Sequence, residues 1–564
     1  MVENAVLDDI SVTGQIYILD TNAKVVIAMM GTLAKPQNQM LSEIGQRLAS
    51  QHYDHAQLMC AQLIAQVPDC FEAHVIMSKL LYRTGQLRAS TRYALNAYRL
   101  VSEQTTIIQK VELGSHLFFL GEEQSAFELI YPLSCPDSGE RAISFDVALL
   151  LNALGKQHEA FACLKQADTQ STSNPGINQL IATIAGYMGS KQIAADHIEK
   201  VVEVQPLNGQ VQWTLSFLNL PEGGDQRIER MLSAIEVPGV DTVQRQLFHY
   251  ALFREYDRIQ QIDKAWLHLS TASALRRKEI AHSTEIENRC FDALIDATQD
   301  VATVAQDDVE SPITPIFILG MPRTGTSLLE KILGNFPRVQ PCGELTVFRN
   351  QLLWQLDQNM QTPFDFSLAK KMAQIDFRQL GQRYLEKISW RNHDASYLID
   401  KEPFNYNFAG LIARALPNAK IIHLMRNPMD TCFSNFKEGF ASQQCTYSYT
   451  QEELASHYIN YRRLMRHWHQ LAPGRILDVH YENLVTRPEQ EAERIRAFCE
   501  LQDRANHVEA EHRKYVSSTL SSIQLLEPIH DKNIHAWRRY EDHLGVLKEL
   551  LANEQEYYQR LLDR

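Results

Sequence analysis

The chain has 564 residues, of which 45% are hydrophobic, and this is enough for two or three domains with full cores. Its formal net charge of −13 argues against general binding to nucleic acid or to an anionic membrane surface. The nine cysteines are odd in number and lack metal-ligand spacing, which favours reduced thiols and a cytoplasmic setting.

Residues 1–39 carry no pattern that assigns them a structure. The first nine residues are acidic, whereas a signal peptide would begin with a basic segment. The longest early apolar run, residues 25–33, is far shorter than a membrane span. These features predict a chain without a leader or a membrane-spanning segment.

A glycine recurs through the first half of the chain at nearly constant spacing. The intervals are 36, 34 and 34 residues, and an alanine follows the last three glycines after five residues; the glycines are Gly85, Gly121, Gly155 and Gly189. Counting back 34 residues from the first glycine reaches Gln51, with Ala56 five residues beyond it. Two helices that meet at a glycine turn, with a small residue at their crossing, resemble the tetratricopeptide repeat.

The repeats predict an all-α solenoid of five units over about residues 40–209. A further helical pair, near residues 248–253 and 264–269, extends the helical domain, which we assign to residues 40–295. Such an array either binds peptides in its groove or serves as a scaffold or a homodimer contact, and the sequence leaves both open. Residues 296–312 are acidic and read as a linker.

A strand, a glycine loop and a helix follow the linker in that order. Residues 316–319 are a short apolar run, Gly320 and Gly325 punctuate the loop, and a helical pattern begins at Ser327. Because the first N–H groups of a helix have no intrahelical partner, this arrangement forms an anion site. The spacing is close to a Walker A loop, but Thr326 replaces the lysine and the cation lies at Arg323.

The string from Pro322 to Ser327 resembles the 5′-phosphosulfate loop of the sulfotransferases. The resemblance implies an α/β P-loop-like domain with a central parallel sheet over residues 313–564. It also implies a sulfuryl donor, 3′-phosphoadenosine 5′-phosphosulfate (PAPS), which is released as 3′,5′-adenosine bisphosphate (PAP), and no required metal. The implied donor-binding residues of the loop are Arg323, Thr324, Gly325, Thr326 and Ser327.

The family also places a strand that ends in an arginine about a hundred residues later, with a serine on the following helix. Residues 421–425 are the apolar strand, Arg426 ends it, and Pro428 suits the first turn of the next helix. The resemblance implies that Arg426 and Ser434 bind the donor's 3′-phosphate.

Two further segments resemble the tyrosylprotein sulfotransferases. Residues 398–405 match their Asp/Asn-Lys-x-Pro segment, which implies that Lys401 stabilises the leaving oxygen. Residues 341–345 resemble their Cys-Gly-Glu-Glu segment, so Glu344 is the candidate general base, although Leu345 replaces the second Glu. If the base is instead a histidine, His423 and His530 are the candidates.

Residues 521–540 resemble the segment that crosses the donor in these enzymes. The lysine of that segment is missing here, and Lys532, Arg538 or Arg539 could replace its charge. We assign Lys532 to the donor site among these.

Together the patterns predict a cytoplasmic sulfotransferase of bacterial type with a tetratricopeptide-like domain. It would transfer a sulfuryl group in line from PAPS to a hydroxyl acceptor, either peptide tyrosine or a small molecule. Catalysis would rest on Arg323, Glu344 and Lys401. The alternatives are a P-loop kinase or NTPase, and a non-enzymatic repeat scaffold with a degenerate nucleotide site.

Overall fold

The computed structural model describes most of the chain and divides it into two compact units. The first consists of Met1–Ser171 and Arg349–Gln361, and the second of Thr172–Phe348 and Thr362–Arg564. The described residues are 35–134, 144–168, 174–299, 311–359, 366–392, 394–440, 443–501 and 529–563. Most of the segment 1–39 and of the linker 296–312 therefore lies outside them.

The first unit is built from antiparallel helix pairs. Its helices, in chain order, are α1 (Lys35–Ala49), α2 (Tyr53–Gln66), α3 (Phe71–Arg83), α4 (Leu87–Arg99), α5 (Ile107–Phe119), α6 (Glu123–Ile130), α7 (Ser144–Ala153) and α8 (Gln157–Asp168). Small and aliphatic side chains, including Ala56, Leu63 and Leu80, are buried where α1–α3 meet. These helices thus bury apolar side chains against their neighbours in the chain, as the helices of repeat arrays do.

The turns inside the helix pairs explain the periodic glycines. All four adopt positive φ, between 76° and 83°. At Gly155 the N–H bonds to the carbonyl of Asn152, and the next N–H, of Lys156, bonds back to Leu151. This is the Schellman closure, in which a left-handed residue ends the first helix, and glycine adopts it without a Cβ penalty.

Non-glycine residues and one further glycine occupy the same turn elsewhere. Gln51 lies between α1 and α2 with φ of 60°, as the counted register requires. Gly223, with φ of 72°, stands 34 residues after Gly189, so the period continues one unit beyond the predicted five. Gln260, with φ of 58°, makes the turn of the following pair.

The second unit begins with seven helices and continues into a parallel sheet. These helices are α9 (Pro175–Tyr187), α10 (Lys191–Val204), α11 (Gly209–Phe217), α12 (Gly224–Ile235), α13 (Thr242–Arg258), α14 (Ile262–Glu279) and α15 (Thr284–Thr298). Among the described residues up to 299, every regular element is a helix, which confirms the predicted all-α class of this half.

The sheet has five parallel strands in the order β2-β3-β1-β4-β5. The strands are β1 (Thr314–Leu319), β2 (Val339–Pro341), β3 (Tyr397–Asp400), β4 (Lys420–Met425) and β5 (Ile476–His480). The central strand β1 is apolar because both of its faces are covered, and Ile316 and Ile318 have no exposed surface. The prediction of a central parallel sheet is confirmed.

Helices and short 3₁₀ segments surround this sheet. The helices are α16 (Thr326–Leu333), α18 (Phe366–Lys371), α19 (Phe377–Ser389), α20 (Ala409–Ala415), α21 (Pro428–Phe436), α22 (Gln451–Leu471), α23 (Tyr481–Thr486), α24 (Pro488–Cys499), α25 (Gly545–Leu550) and α26 (Ala552–Leu562). Helix α17 (Val347–Leu356) follows α16 in the chain, and its residues from Arg349 onward belong to the first unit. The 3₁₀ segments in this half are Met372–Gln374, Pro403–Phe408, Gln443–Tyr449 and Ala536–His543, and Tyr131–Ser134 is another in the first unit. The sites discussed below lie at the carboxyl ends of β1, β3 and β4.

Candidate active site

The loop between β1 and α16 depends on two glycines. Gly320 has φ of 150°, and a Cβ there would lie 2.4 Å from the carbonyl oxygen of Leu424. Gly325 has φ of 105°, and a Cβ there would lie 2.7 Å from Cδ2 of Tyr481. The loop therefore packs against the end of β4 and the Tyr481 ring too closely for any side chain at these positions.

The hydroxyl residues of the loop are buried at the start of α16. Thr324 donates a hydrogen bond from Oγ1 to the carbonyl of Met321 at 2.8 Å, which closes the turn. Thr326 and Ser327 are buried in the first helical turn, where the backbone N–H groups have no intrahelical acceptor. This is the local arrangement that an anion-binding helix start requires.

Arg323 occupies the left-handed region with φ of 68° and forms an ion pair with Glu438. Its Nη2 lies 3.2 Å from Oε1 of Glu438, and both side chains are largely buried. Burial lowers the pKa of the adjacent Lys437 to about 8, although Glu438 opposes the shift. Burial also lowers the pKa of Arg254, which feels the charges of Glu438 and Arg323. No pattern in the chain indicates that α13 supplies a cation here.

Arg426 connects this loop to the C-terminal part of the domain. It follows β4, and its guanidinium donates to the carbonyl of Arg323 at 3.1 Å and to the carbonyl of Asn533 at 2.6 Å. The guanidinium also lies 4.7 Å from the centroid of the Tyr481 ring. Arg426 is thus held by two carbonyls and an aromatic face at the mouth of the loop.

Ser434 lies on α21, whose start is fixed by its neighbours. Asn427 caps the helix by accepting from the N–H groups of Met429 and Asp430. Further along, Asn435 donates to the carbonyl of Pro322 at 2.8 Å, which ties α21 to the loop. The Ser434 side chain is buried beside this contact but makes no direct bond to Arg426 among the described residues.

Lys401 and Glu344 come together from segments 57 residues apart. Nζ of Lys401 lies 2.5 Å from Oε1 of Glu344. Burial alone would lower the pKa of Lys401, but Glu344 and Glu330 outweigh it and the pKa is raised. Lys401 is therefore a firmly protonated cation.

A buried carboxylate behind this pair was not anticipated. Glu330 has no exposed surface and accepts from the N–H of Gly343 at 2.8 Å. The carbonyl of Gly343 in turn accepts from the N–H of Lys401 at 2.9 Å. Glu330 sits on α16 at the helical spacing of the apolar residues, so its sequence context gave no signal beyond an interrupted apolar face.

The two histidine candidates occupy different settings. His423 is fully buried in β4; its Nδ1 is 2.7 Å from Asp478, and its Nε2 contacts the hydroxyl of Tyr461. Asp478 also pairs with His469 at 2.9 Å. Both nitrogens of His423 are therefore engaged inside the core. His530 is partly exposed in the segment before the C-terminal 3₁₀ helix.

Residues 529–543, which we call the strap, are anchored on α21. Asp430 accepts from the N–H groups of His535 at 2.7 Å and Trp537 at 3.1 Å. Lys532 is exposed and makes no direct bond to Arg323 or Arg426 among the described residues.

Of the predicted site residues, the structure joins two pairs directly, Lys401 with Glu344 and Arg426 with Arg323. Residues 521–528 of the predicted crossing segment lie outside the described part.

Comparison with known families concerns this same half of the chain. The model of the sulfotransferase family matches residues 315–505, which include the loop, Glu344, Lys401, Arg426 and Ser434. This region is a sulfotransferase-family domain.

Two relatives match a longer part of the chain. A protein of Aquifex aeolicus described as uncharacterized is 28% identical over 424 residues, which cover 73% of this chain and 54% of that protein. The protein-tyrosine sulfotransferase of Drosophila melanogaster is 27% identical over 43% of this chain and 50% of its own length. The chain thus spans about half of the length of these relatives.

Among solved structures, a sulfotransferase of Mycobacterium tuberculosis matches 50% of this chain and 90% of its own, with 13% identity and a TM-score of 0.27. Separately, no helix in the described part of the chain is both long and apolar enough to cross a bilayer.

Proposed function

We propose that the chain is a PAPS-dependent sulfotransferase that acts on a hydroxyl acceptor by in-line displacement. The observation that carries the proposal is the Lys401–Glu344 pair, a buried cation 2.5 Å from a partly exposed carboxylate, within a sulfotransferase-family domain. In-line transfer places negative charge on the leaving oxygen and releases a proton from the attacking hydroxyl. It therefore needs both a fixed cation and a proton acceptor.

The donor would be held at two places. Arg323, the loop N–H groups, Thr324, Gly325, Thr326 and Ser327 would bind the 5′-phosphosulfate. Arg426 and Ser434 would bind the 3′-phosphate, with Lys532 as the strap's cation. The buried hydroxyls, the fixed guanidinium of Arg426 and the helix start of α16 fit polyanionic groups, because each offers donors in a desolvated setting.

Glu344 would take the proton of the acceptor hydroxyl as its oxygen forms a bond to sulfur. The bond between sulfur and the bridging oxygen breaks, and the electron pair leaves on the phosphate of PAP. Lys401 would neutralise the charge that develops on that oxygen, as its raised pKa keeps it protonated. No covalent enzyme intermediate and no metal enter this scheme.

Arg323 would have to exchange partners when the donor binds. Its guanidinium pairs with Glu438 at 3.2 Å, so a phosphosulfate must compete with that carboxylate. The nearby Arg254 and Lys437 would compensate Glu438 once Arg323 turns to the donor. Because of this exchange, the affinity of the loop for the donor would depend on the donor's charge.

Peptide tyrosine is the acceptor we favour, since several relatives are named protein-tyrosine sulfotransferases. Small phenols, sugars and lipid hydroxyls are the alternatives. We further propose a cytoplasmic enzyme whose helical half, with its tetratricopeptide-like period, engages an acceptor peptide, a protein partner or a second copy of the chain.

Ligand-induced thermal stabilisation separates this function from a kinase or NTPase. PAP at saturating concentration should raise the melting temperature, whereas ATP with magnesium should not. Stabilisation by ATP with magnesium and not by PAP would favour the NTPase alternative. A chain that responds to neither nucleotide would favour the scaffold alternative.

A further inference from the structure

The strap also contacts the helical half of the second unit. The hydroxyl of Tyr540 donates to Oδ1 of Asp257 at 2.7 Å, and Arg539 lies 3.0 Å from the same oxygen. Asp257 is near the end of α13. The Asp257 carboxylate thus contacts two consecutive residues of the strap.

Aromatic contacts continue this attachment onto α14. Trp266 stacks on His543 with ring centroids 4.8 Å apart and planes 8° from parallel. The same indole stacks on Phe436, at the end of α21, with centroids 5.8 Å apart. The ring of Tyr540 packs against Phe433 at 4.8 Å. The α13–α14 pair and α21 therefore hold the strap between them.

The other end of the strap reaches the candidate donor site. Asn533 offers its carbonyl to the Arg426 guanidinium at 2.6 Å. Between Asn533 and Tyr540 the chain is fixed by Asp430, which accepts two strap N–H groups. A short, anchored segment therefore connects Asp257 on α13 to Arg426, and displacing Tyr540 would disturb the carbonyl that orients the guanidinium.

We propose that Asp257 is a positioning residue for the donor site, acting through the strap on Arg426. The inference rests on the proposed function, in which Arg426 binds the 3′-phosphate. Helix α13, which belongs to the repeat-like helical half, would then contribute to the donor site. Ligands or partners bound to α13–α14 would therefore change donor affinity. The effect would be specific to nucleotides that carry a 3′-phosphate.

Calorimetry with two nucleotides tests the proposal in the full-length chain. In Asp257→Ala, the affinity for PAP should fall about tenfold. The affinity for adenosine 5′-phosphosulfate, which lacks the 3′-phosphate, should fall much less. Tyr540→Phe should produce a smaller change in the same direction while keeping the ring packing. In an Arg426→Ala background, Asp257→Ala should have no further effect on PAP.

A second carboxylate–arginine pair provides the matched control. Asp292 on α15 pairs with Arg463 on α22 at 2.7 Å, away from the strap, so Asp292→Ala should leave both affinities unchanged. Two results would overturn this proposal but leave the proposed function intact. One is an equal loss of affinity for both nucleotides in Asp257→Ala. The other is a PAP affinity equal to that of the wild type in both Asp257→Ala and Tyr540→Phe. A wild-type chain that binds neither nucleotide would overturn the proposed function with it.

Discussion

Lys401 and Glu344 form an ion pair whose two members differ sharply in exposure. The Lys401 side chain has 0% of its surface exposed, whereas 37% of the Glu344 side chain is accessible. The cation is therefore fixed from within the domain, and the carboxylate faces outward, where an acceptor can approach it. This difference suits a leaving-group cation and a proton acceptor, respectively.

Glu344→Gln should abolish proton transfer while retaining the shape of the side chain. We expect kcat to fall by about 10²–10⁴ and PAP affinity to change little. Removing a partner of a buried cation should also lower the free energy of unfolding by about 1–3 kcal/mol. Glu386→Gln, at an exposed position of α19, is the control for both measurements. Near-normal turnover with an unchanged acidic limb of the pH profile of kcat/KM would indicate that a histidine, and not Glu344, is the base.

Arg426→Ala should affect the donor's two ends differently. Because its guanidinium would pair with the 3′-phosphate, PAP binding should weaken by about 1.5–3 kcal/mol. Adenosine 5′-phosphosulfate should bind almost as it does to the wild type. Isothermal titration calorimetry with both nucleotides measures the difference, and equal losses would remove Arg426 from the 3′-phosphate site.

Gly325→Ala should damage the donor loop through the Tyr481 ring. The new Cβ would meet Cδ2 of Tyr481 at 2.7 Å, and φ of 105° is strained for alanine. We expect a loss of about 1–3 kcal/mol in the free energy of unfolding and weaker PAP binding, since Tyr481 supports Arg426. Gly545→Ala, where a Cβ would meet no atom within 4 Å, is the control. Unimpaired PAP binding in Gly325→Ala would show that the loop is looser than described.

His116 in the first unit should make stability sensitive to acid. Burial, with a smaller contribution from Lys79, lowers its pKa to about 3. Below the ordinary histidine pKa of about 6.5, the unfolded chain takes up a proton that the folded chain does not. The contribution of His116 to the free energy of unfolding is therefore fully present above that pKa. It is lost as the pH falls towards 3, by up to about 1.4 kcal/mol per pH unit.

Urea unfolding of wild type and His116→Gln at several pH values between 4 and 7 isolates this group. The variant should have the shallower dependence, because it has one fewer group to protonate. His158→Gln, at an exposed position of α8 in the same unit, is the matched control variant. Identical slopes for wild type and His116→Gln would contradict the assigned burial effect.

Local rules predicted the elements, but not all of the contacts between them. The glycine turns and the strand–loop–helix segment follow from backbone sterics and apolar periodicity, which act within a few residues. Beyond Gly189 the period continues to Gly223, where Ile228 stands in place of the alanine that follows the earlier glycines, so this unit lay outside the predicted five. The pair that turns at Gln260 was predicted from its apolar residues alone.

Long-range partners left no such local mark. Glu330 reads as an ordinary polar residue of a helix until the fold places it under Gly343. Asp257 and Arg254 lie in a segment that the sequence assigned only to a repeat. Arg277 likewise pairs with Glu453 at 2.7 Å, so α14 is bound to α22 across the predicted linker. Such contacts are set by tertiary packing rather than by spacing in the chain.

Sulfuryl transfer itself is the most direct test of the central claim. The chain should be incubated with PAPS labelled in the sulfuryl group and with panels of tyrosine peptides, phenols, sugars and lipid hydroxyls, followed by mass spectrometry of the products. We predict a sulfated hydroxyl product with formation of PAP, and loss of both in Lys401→Met. Binding of PAP without transfer to any acceptor class, or transfer of phosphate from ATP in its place, would contradict the account.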